Sequence, residues 1–288
     1  MSKRKVSGSC GGGGSGLVAF LGAIEARSEL CEVVRGAGAS AGSMGEATDQ
    51  FGLDKKKVKR VTFDALINGR LLKFRPDVWS GALVDWRILG DLVDELFGKG
   101  VKLGDVPKGR KLSVCVTPLN GGGPKRFTST DHPRVLLRDV LPASSAFKVG
   151  ITGAAQITSH LLGAYTPDPF WYVDGGRTDN VCDSVWDDDK EPNVALRLGS
   201  VENPENERVV RGGDLVSMVT AEELVTLWAA NQPRTRRDDG KLVQVDGENL
   251  WSFKQTQAEL EDQYDRGYVS AKAQIQEWLT CTSSTEVT

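Results

Sequence analysis

The stretch CGGGGSGLVAFLGAIEARSELCEVVRGAGASAG, residues 10–42, decides the fold, because it places glycine-rich turns on both sides of an apolar run. Residues 5–10 before the first turn have β character, residues 17–26 form an apolar helical run, and residues 31–34 again have β character. Residues 41–51, after the second turn, favour a helix. Alternating strands and helices are typical of a parallel sheet with helices on its faces, so the sequence predicts an α/β fold.

Further elements extend this pattern toward the C-terminus. Apolar residues recur within residues 82–97 at the spacing of one helix face, which predicts a helix. Residues 112–117 and 194–198 predict strands, and an apolar stripe over residues 260–278 predicts a long C-terminal helix. Because no repeat or long linker interrupts the pattern, we expect one domain over residues 1–280 and a polar, frayed tail over residues 281–288.

Composition and charge give information on whether the protein binds nucleic acid or a membrane. The chain has 288 residues with 39% hydrophobic content, and 36 Lys and Arg against 39 Asp and Glu give a net charge of −3. This balance gives no reason to expect nucleic acid as a partner. The N-terminus lacks the apolar region of a signal peptide, and no apolar run approaches the roughly 20 residues that span a bilayer. We therefore expect a cytoplasmic protein and only peripheral contact with membranes. The sequence does not indicate its protein partners.

The cysteines and histidines give no metal-binding spacing. The five cysteines contain no C-x-x-C pair, and the chain has only two histidines. We therefore expect a reduced interior with no metal and no cofactor. The acidic residues 183–191 lack the alternation of an EF-hand loop, which favours a surface loop over a calcium site. The basic residues 54–60 allow either a solvated loop or helix end, which we favour, or a lipid-headgroup patch.

A G-x-S-x-G motif follows the second predicted strand. A serine on a sharp strand-to-helix turn is held in a strained backbone conformation, and flanking side chains would collide across that turn. The turn exposes the serine hydroxyl at the N-terminus of the next helix, where developing negative charge is favoured. This pattern indicates Ser40 as a nucleophile, with a motif made of Gly38, Ala39, Ser40, Ala41 and Gly42.

A glycine run follows the first predicted strand and consists of Gly11, Gly12, Gly13, Gly14, Ser15 and Gly16. Its N–H groups suit either a phosphate or the oxyanion of a tetrahedral intermediate. A dinucleotide site needs an acidic residue at the end of the second strand, whereas Glu32 lies at its start. A P-loop is excluded because no Gly-Lys-Ser/Thr follows. A nucleotide-binding α/β module, with Ser40 as a structural turn residue, nevertheless stays open as an alternative.

The serine needs a base, and neither histidine is well placed for that role. His132 lies in a turn-like segment, and His160 ends a mixed polar and apolar run. The remaining route is a carboxylate in a tightly turned, water-poor site. Asp174 follows an apolar strand and precedes Gly175 and Gly176, so its backbone can approach another strand closely. An ordinary turn explains this segment equally well when it is taken alone.

Together, the three motifs resemble the patatin-like phospholipase family, in which a glycine loop, a G-x-S-x-G turn and an Asp-Gly-Gly element occur in this order. The resemblance also covers Asn180, residues 143–146 and residues 264–279. It implies a three-layer α/β sandwich with a mainly parallel central sheet. Two positions depart from the family pattern: Ser15 stands where Arg or Lys is frequent, and Cys182 where proline is frequent.

The resemblance further implies an activity. A phospholipase A-type lipid acyl hydrolase would use Ser40 as nucleophile and Asp174 as general base and acid, with the oxyanion held by N–H groups of Gly12, Gly13 and Gly14. Its substrate would be met at a membrane or micelle surface. A non-catalytic scaffold that keeps the family shape is a further alternative.

Overall fold

The protein forms a mixed α/β structure, represented by a computed structural model that describes residues 3–70, 87–118, 124–146, 155–157, 170–186, 190–199, 239–247 and 255–285. The strands are β1 (Arg4–Cys10), β2 (Cys31–Ala39), β3 (Lys111–Pro118), β4 (Lys125–Thr128), β5 (Ala155–Ile157), β6 (Phe170–Asp174), β7 (Asn193–Leu198) and β8 (Lys241–Val245). The helices are α1 (Leu17–Leu30), α2 (Ala41–Gln50), α3 (Lys55–Ile67), α4 (Arg87–Phe97), α5 (Leu137–Ser144) and α6 (Gln257–Thr285).

All eight strands belong to one sheet, in the order β5-β6-β3-β2-β1-β7-β8, with β4 also paired to β3. The central strands β3, β2, β1, β7 and β8 are parallel to their neighbours in this order. Strands β4, β5 and β6 pair antiparallel. The prediction of an α/β sandwich with a mainly parallel central sheet is therefore confirmed.

Strand β2 is longer than its sequence suggested, because it continues through the glycine-rich residues 35–39. A Cβ atom at Gly36 would lie 2.7 Å from Glu46 Oε2 and 2.8 Å from Gln50 Cγ. The missing side chain thus lets α2 pack closely on the strand that precedes it. Glycine served as a turn signal in the sequence, but here it permits helix–sheet packing.

The C-terminal helix also extends further than expected. Residues 281–285, assigned to a frayed tail, continue α6 to Thr285. The end of the helix is fixed to the sheet, since Arg4 Nη1 donates to Thr282 Oγ1 at 2.6 Å and the Arg4 guanidinium lies 4.9 Å from the Trp278 ring. This contact is a long-range anchor for Thr282. The division into one domain over residues 1–280 and a frayed tail over residues 281–288 stays a prediction.

The core lies mainly on one face of the sheet. Val114 and Val116 of β3 point into a large apolar cluster with α2, α3, α4 and α5. Helices α1 and α6 contribute both to this cluster and to a second one over β1, β7 and β8. Between Val114 and Val116 in sequence, Cys115 points to the opposite face, as strand alternation requires. Within the described ranges, none of the helices combines the length and apolar character needed to cross a bilayer.

A buried ion pair links α1 to α2. Arg27 Nη1 donates to Glu46 Oε1 at 2.7 Å and Arg27 Nη2 donates to Glu46 Oε2 at 2.8 Å. Neither side chain is exposed to solvent. A Cβ atom at Gly8 would lie 2.5 Å from Arg27 Nη1, so the glycine in β1 provides the space for the guanidinium. The helix that follows Ser40 is therefore fixed to its neighbour by a charged, bidentate contact.

Candidate active site

Ser40 lies in a strained turn between β2 and α2. Its backbone has φ 52° and ψ −127°, and among the non-glycine residues that the structure describes only Cys182 also has a positive φ. A Cβ atom at Gly38 would lie 2.5 Å from the carbonyl oxygen of Gly42, and one at Gly42 would lie 2.2 Å from that of Cys10. The expected collision across the turn is confirmed for Gly38, whereas a side chain at Gly42 would collide with the neighbouring strand β1. Such strain persists only where the surrounding structure holds it, as at nucleophilic serines.

Ser144 fixes the backbone of this turn. The Ser40 N–H donates to Ser144 Oγ at 2.9 Å, and the Ser144 hydroxyl donates to the Cys115 carbonyl oxygen at 2.6 Å. All three residues are buried. Ser144 ends α5, so one hydroxyl joins the serine turn, helix α5 and strand β3. The sequence singled out residues 143–146 by resemblance alone, and this bridge gives the segment a physical role.

Asp174 ends β6 and is only 4% exposed. It pairs with Val116 of β3, and Thr117 Oγ1 donates to its carbonyl oxygen at 2.8 Å. The Gly176 N–H donates to Asp174 Oδ1 at 2.7 Å, which orients the carboxylate. A Cβ atom at Gly175 would lie 2.1 Å from the Cys115 carbonyl oxygen. The predicted close approach of this segment to another strand is therefore confirmed.

Asn180 connects the glycine loop to the segment that follows Asp174. The Gly12 N–H donates to Asn180 Oδ1 at 2.7 Å, and a Cβ atom at Gly12 would lie 2.8 Å from that oxygen and 3.2 Å from Ser40 Cβ. In this structure the Gly12 N–H is therefore engaged by Asn180. The assignment of Gly12, Gly13 and Gly14 as oxyanion donors stays a prediction.

The other glycines of this loop shape it. The Gly11 N–H donates to the Leu196 carbonyl oxygen at 3.0 Å, and the Gly16 N–H donates to that of Gly13 at 2.9 Å. Gly14 has φ 54°, in the left-handed region that favours glycine. Ser15 is buried, so the position where similar sequences carry a cation holds a small neutral side chain.

Strand pairing brings the three motifs to one edge of the sheet. Cys10 is paired with Gly38, Ala39 with Cys115, and Val116 with Asp174, so the segments that follow β1, β2 and β6 begin at neighbouring positions. A serine at a helix N-terminus, a buried carboxylate and a glycine loop are the parts that acyl transfer requires. Their sequence order was predicted, and the sheet supplies their proximity.

Of three comparisons with known proteins, the one with solved structures finds a match to this architecture. No protein-family model and no curated protein matches the sequence. Among solved structures, VipD from Legionella pneumophila matches over 98% of this chain and 67% of its own, with a TM-score of 0.59 and 15% identity. The fold is patatin-like. ExoU from the type III secretion system of Pseudomonas aeruginosa, in complex with SpcU, matches over 96% of this chain and 53% of its own, with a TM-score of 0.48 and 14% identity.

Within this patatin-like fold, His132 lies away from Ser40. His132 follows β4, whose last residue, Thr128, pairs with Ser113 near the start of β3. Asp174 pairs with Val116 toward the other end of β3. His132 Nδ1 accepts from the Thr128 N–H at 3.3 Å, and the His132 ring packs on Phe127. Burial lowers the pKa of His132, with a smaller effect of Lys125 in the same direction. These contacts indicate a structural role. His160 and residues 187–189 of the acidic segment lie outside the described residues.

The basic residues 54–60 also lie away from the Ser40 edge. Asp54 caps α3, its side chain accepting from the Lys57 N–H at 2.7 Å. Helix α3 begins shortly after the C-terminal end of α2, which is the end remote from Ser40. At that end, Arg110, the residue before β3, donates to the Asp49 carbonyl oxygen. Lys57 Nζ donates to the carbonyl oxygen of Leu96. The run is thus a helix end at the opposite edge, which favours the solvated interpretation over a headgroup patch beside the site.

Proposed function

We propose that this protein is a lipid acyl hydrolase of the phospholipase A type, acting on acyl esters at a membrane or micelle surface. The observation that carries the proposal is the strained backbone of Ser40 at the N-terminus of α2, a conformation typical of nucleophilic serines. The buried Asp174 carboxylate and the glycine loop at the same edge of the sheet support it. The patatin-like fold is consistent with this chemistry, although a fold by itself does not specify an activity.

In the proposed mechanism, Asp174 accepts the Ser40 hydroxyl proton while Oγ attacks the acyl carbonyl carbon. The tetrahedral intermediate collapses when Asp174 returns the proton to the departing alcohol, which leaves an acyl-enzyme. Water then attacks the acyl group with Asp174 again as the base, and Ser40 recovers its proton as the fatty acid leaves. The Gly176 N–H on Oδ1 keeps the carboxylate oriented through both steps.

The oxyanion would be held without a side-chain cation from the glycine loop, because Ser15 occupies the usual place of Arg or Lys. The N–H groups of Gly13 and Gly14 and the N-terminal dipole of α2 are the proposed sources of stabilisation. One donor of this kind typically contributes about 10² to 10³ in turnover. The Asn180 contact with Gly12 would then act indirectly, by fixing the loop that carries the donors.

The decisive experiment measures fatty acid release from mixed phospholipid vesicles by wild type and Ser40→Ala, with fluorophosphonate labelling of both proteins. We expect hydrolysis and labelling in the wild type and neither in the variant, because a fluorophosphonate reacts only with an activated serine. Folded wild type that resists labelling would favour the nucleotide-binding module or the non-catalytic scaffold. Labelling without release of fatty acid would leave a serine hydrolase with a different ester substrate.

A second prediction concerns the bridge through Ser144. Ser144→Ala removes the acceptor of the Ser40 N–H in a buried site, which costs about 1–3 kcal/mol where the group stays unpaired. We expect kcat to fall by about tenfold or more with little change in KM, because substrate contacts are left in place. Ser144→Thr keeps a hydroxyl and should recover much of the loss, and Ser145→Ala serves as the neighbouring control. Equal kcat in wild type and Ser144→Ala would contradict a positioning role.

A further inference from the structure

A cluster of metal-binding side chains lies on the face of the sheet opposite the main core. Cys115 Sγ, Cys182 Sγ and a carboxylate oxygen of Asp179 all lie within 4.8 Å of one another, and all three residues are buried. Cys115 belongs to β3, whereas Asp179 and Cys182 follow Asp174 in the chain. The spacing of these residues in the sequence did not predict the group, because its members come together only through the pairing of β3 with β6.

We propose that Cys115, Asp179 and Cys182 bind a thiophilic divalent cation, Zn²⁺, at a site that joins β3 to the segment after Asp174. In a tetrahedral zinc site, Zn–S bonds of about 2.3 Å place the sulfurs about 3.8 Å apart, and a sulfur and a carboxylate oxygen about 3.5 Å apart. The donors are separated by at most 4.8 Å. A contraction of at most about 1.0 Å between the sulfurs, and of at most about 1.3 Å between a sulfur and the carboxylate oxygen, would therefore give zinc geometry, with the fourth position left for water.

The local backbone holds two of the donors together. The Cys182 N–H donates to Asp179 Oδ1 at 3.2 Å. The Cys182 thiol donates to the Asp179 carbonyl oxygen at 3.3 Å, a bond that it gives up when it loses its proton to bind a cation. Cys182 makes these contacts with φ 53°, in the left-handed region that is unfavourable for a side chain of this kind. Trp186 and Ala39 belong to the same cluster of buried residues, so the sulfurs lie in an apolar environment.

The charges of the site balance when a divalent cation is bound. Both thiols release their protons to solvent on binding, so that two thiolates and one carboxylate face the cation and leave one net negative charge. Arg126 lies 3.2 Å from Asp179 Oδ2 through Nη2, and its charge cancels that excess. The occupied site therefore need not carry an uncompensated buried charge.

Occupancy would stiffen the catalytic edge of the sheet. The Cys115 carbonyl oxygen accepts the Ser144 hydroxyl, and Gly175 packs directly against it. A cation shared by Cys115 and Cys182 would therefore hold the Asp174 segment against β3. The binding itself does not depend on the proposed hydrolase activity, so its test uses metal binding and thermal unfolding as readouts.

The experiment uses the full chain with Cys281→Ser, which removes the exposed thiol. After treatment with a chelator, the protein is titrated with Co²⁺ and then Zn²⁺. We expect one equivalent of Co²⁺ to bind with a thiolate-to-metal charge-transfer band, Zn²⁺ to displace it, and Zn²⁺ to raise Tm. Adding Cys182→Ser should weaken binding by at least about tenfold and remove the rise in Tm. Adding Cys10→Ser instead should leave both unchanged, because this buried thiol lies in the other apolar cluster.

Three results would overturn the proposal. One is the absence of a thiolate-to-Co²⁺ band in the folded Cys281→Ser protein, which needs no further variant and so does not depend on how a mutant folds. Another is equal Co²⁺ affinity with and without Cys182→Ser. The third is a disulfide in the freshly purified protein, seen as a mass lower by two hydrogens under non-reducing conditions, together with no binding of Co²⁺ after reduction.

Discussion

Asp174→Asn is expected to keep the fold and to lower kcat for fatty acid release by about 10⁴-fold, the largest change in activity of any substitution considered apart from Ser40→Ala. The amide has nearly the shape of the carboxylate and can still accept the Gly176 N–H through its oxygen. It cannot, however, accept the Ser40 proton as a base. Loss of activity would thus arise without loss of the turn, and circular dichroism and Tm should match those of the wild type.

The same variant should also lose fluorophosphonate labelling, because labelling depends on an activated Ser40 hydroxyl. Asp131→Asn provides a matched control, since this exposed carboxylate accepts from Thr128 in a surface turn and should be neutral for activity. If Asp174→Asn kept more than about a tenth of wild-type kcat, the assignment of Asp174 as the base would have to be abandoned.

The largest expected change in stability comes from breaking the buried ion pair of α1 and α2. Arg27→Met leaves Glu46 in a fully buried position without its bidentate partner. Removing one member of such a pair typically costs about 3–5 kcal/mol, because the remaining charge is uncompensated. We therefore expect a lower midpoint in urea unfolding with an unchanged slope, which reports a loss of stability and not a change in compactness.

The double variant Arg27→Met/Glu46→Leu separates the pair's own contribution from the cost of an orphaned charge. It should be more stable than either single variant, since replacing a buried pair by apolar side chains is often neutral. Arg70→Met is the surface control: Arg70 contacts Glu95 at 2.7 Å with both side chains well exposed, and its loss should cost less than about 1 kcal/mol. A double variant as unstable as the single ones would show that packing, and not charge, is the main contribution of Arg27.

Local features of the sequence were sufficient to predict the turns of the site. Gly38 is required by its contact with Gly42 inside the same turn, which is a local property, whereas Gly42 is required by the approach of Cys10 and Gly11 from the neighbouring strand β1. Alternation of apolar and glycine-rich segments likewise predicted strands β1 and β2 and helices α1 and α2, because hydrophobic period and turn chemistry are local properties. The order of the motifs then suggested the patatin-like fold.

Features that depend on residues far apart in sequence were decided only by the tertiary structure. The antiparallel pairing of β6 with β3 places Asp174 at the serine edge and brings Cys115 toward Cys182, and no local pattern specifies that pairing. The same holds for the Ser144 bridge to Ser40, and for the Asn180 contact that takes up the Gly12 N–H. A residue's local sequence determines the turn that it can adopt, whereas its hydrogen-bond partner is set by which strands pair, and pairing depends on the burial of the whole sheet.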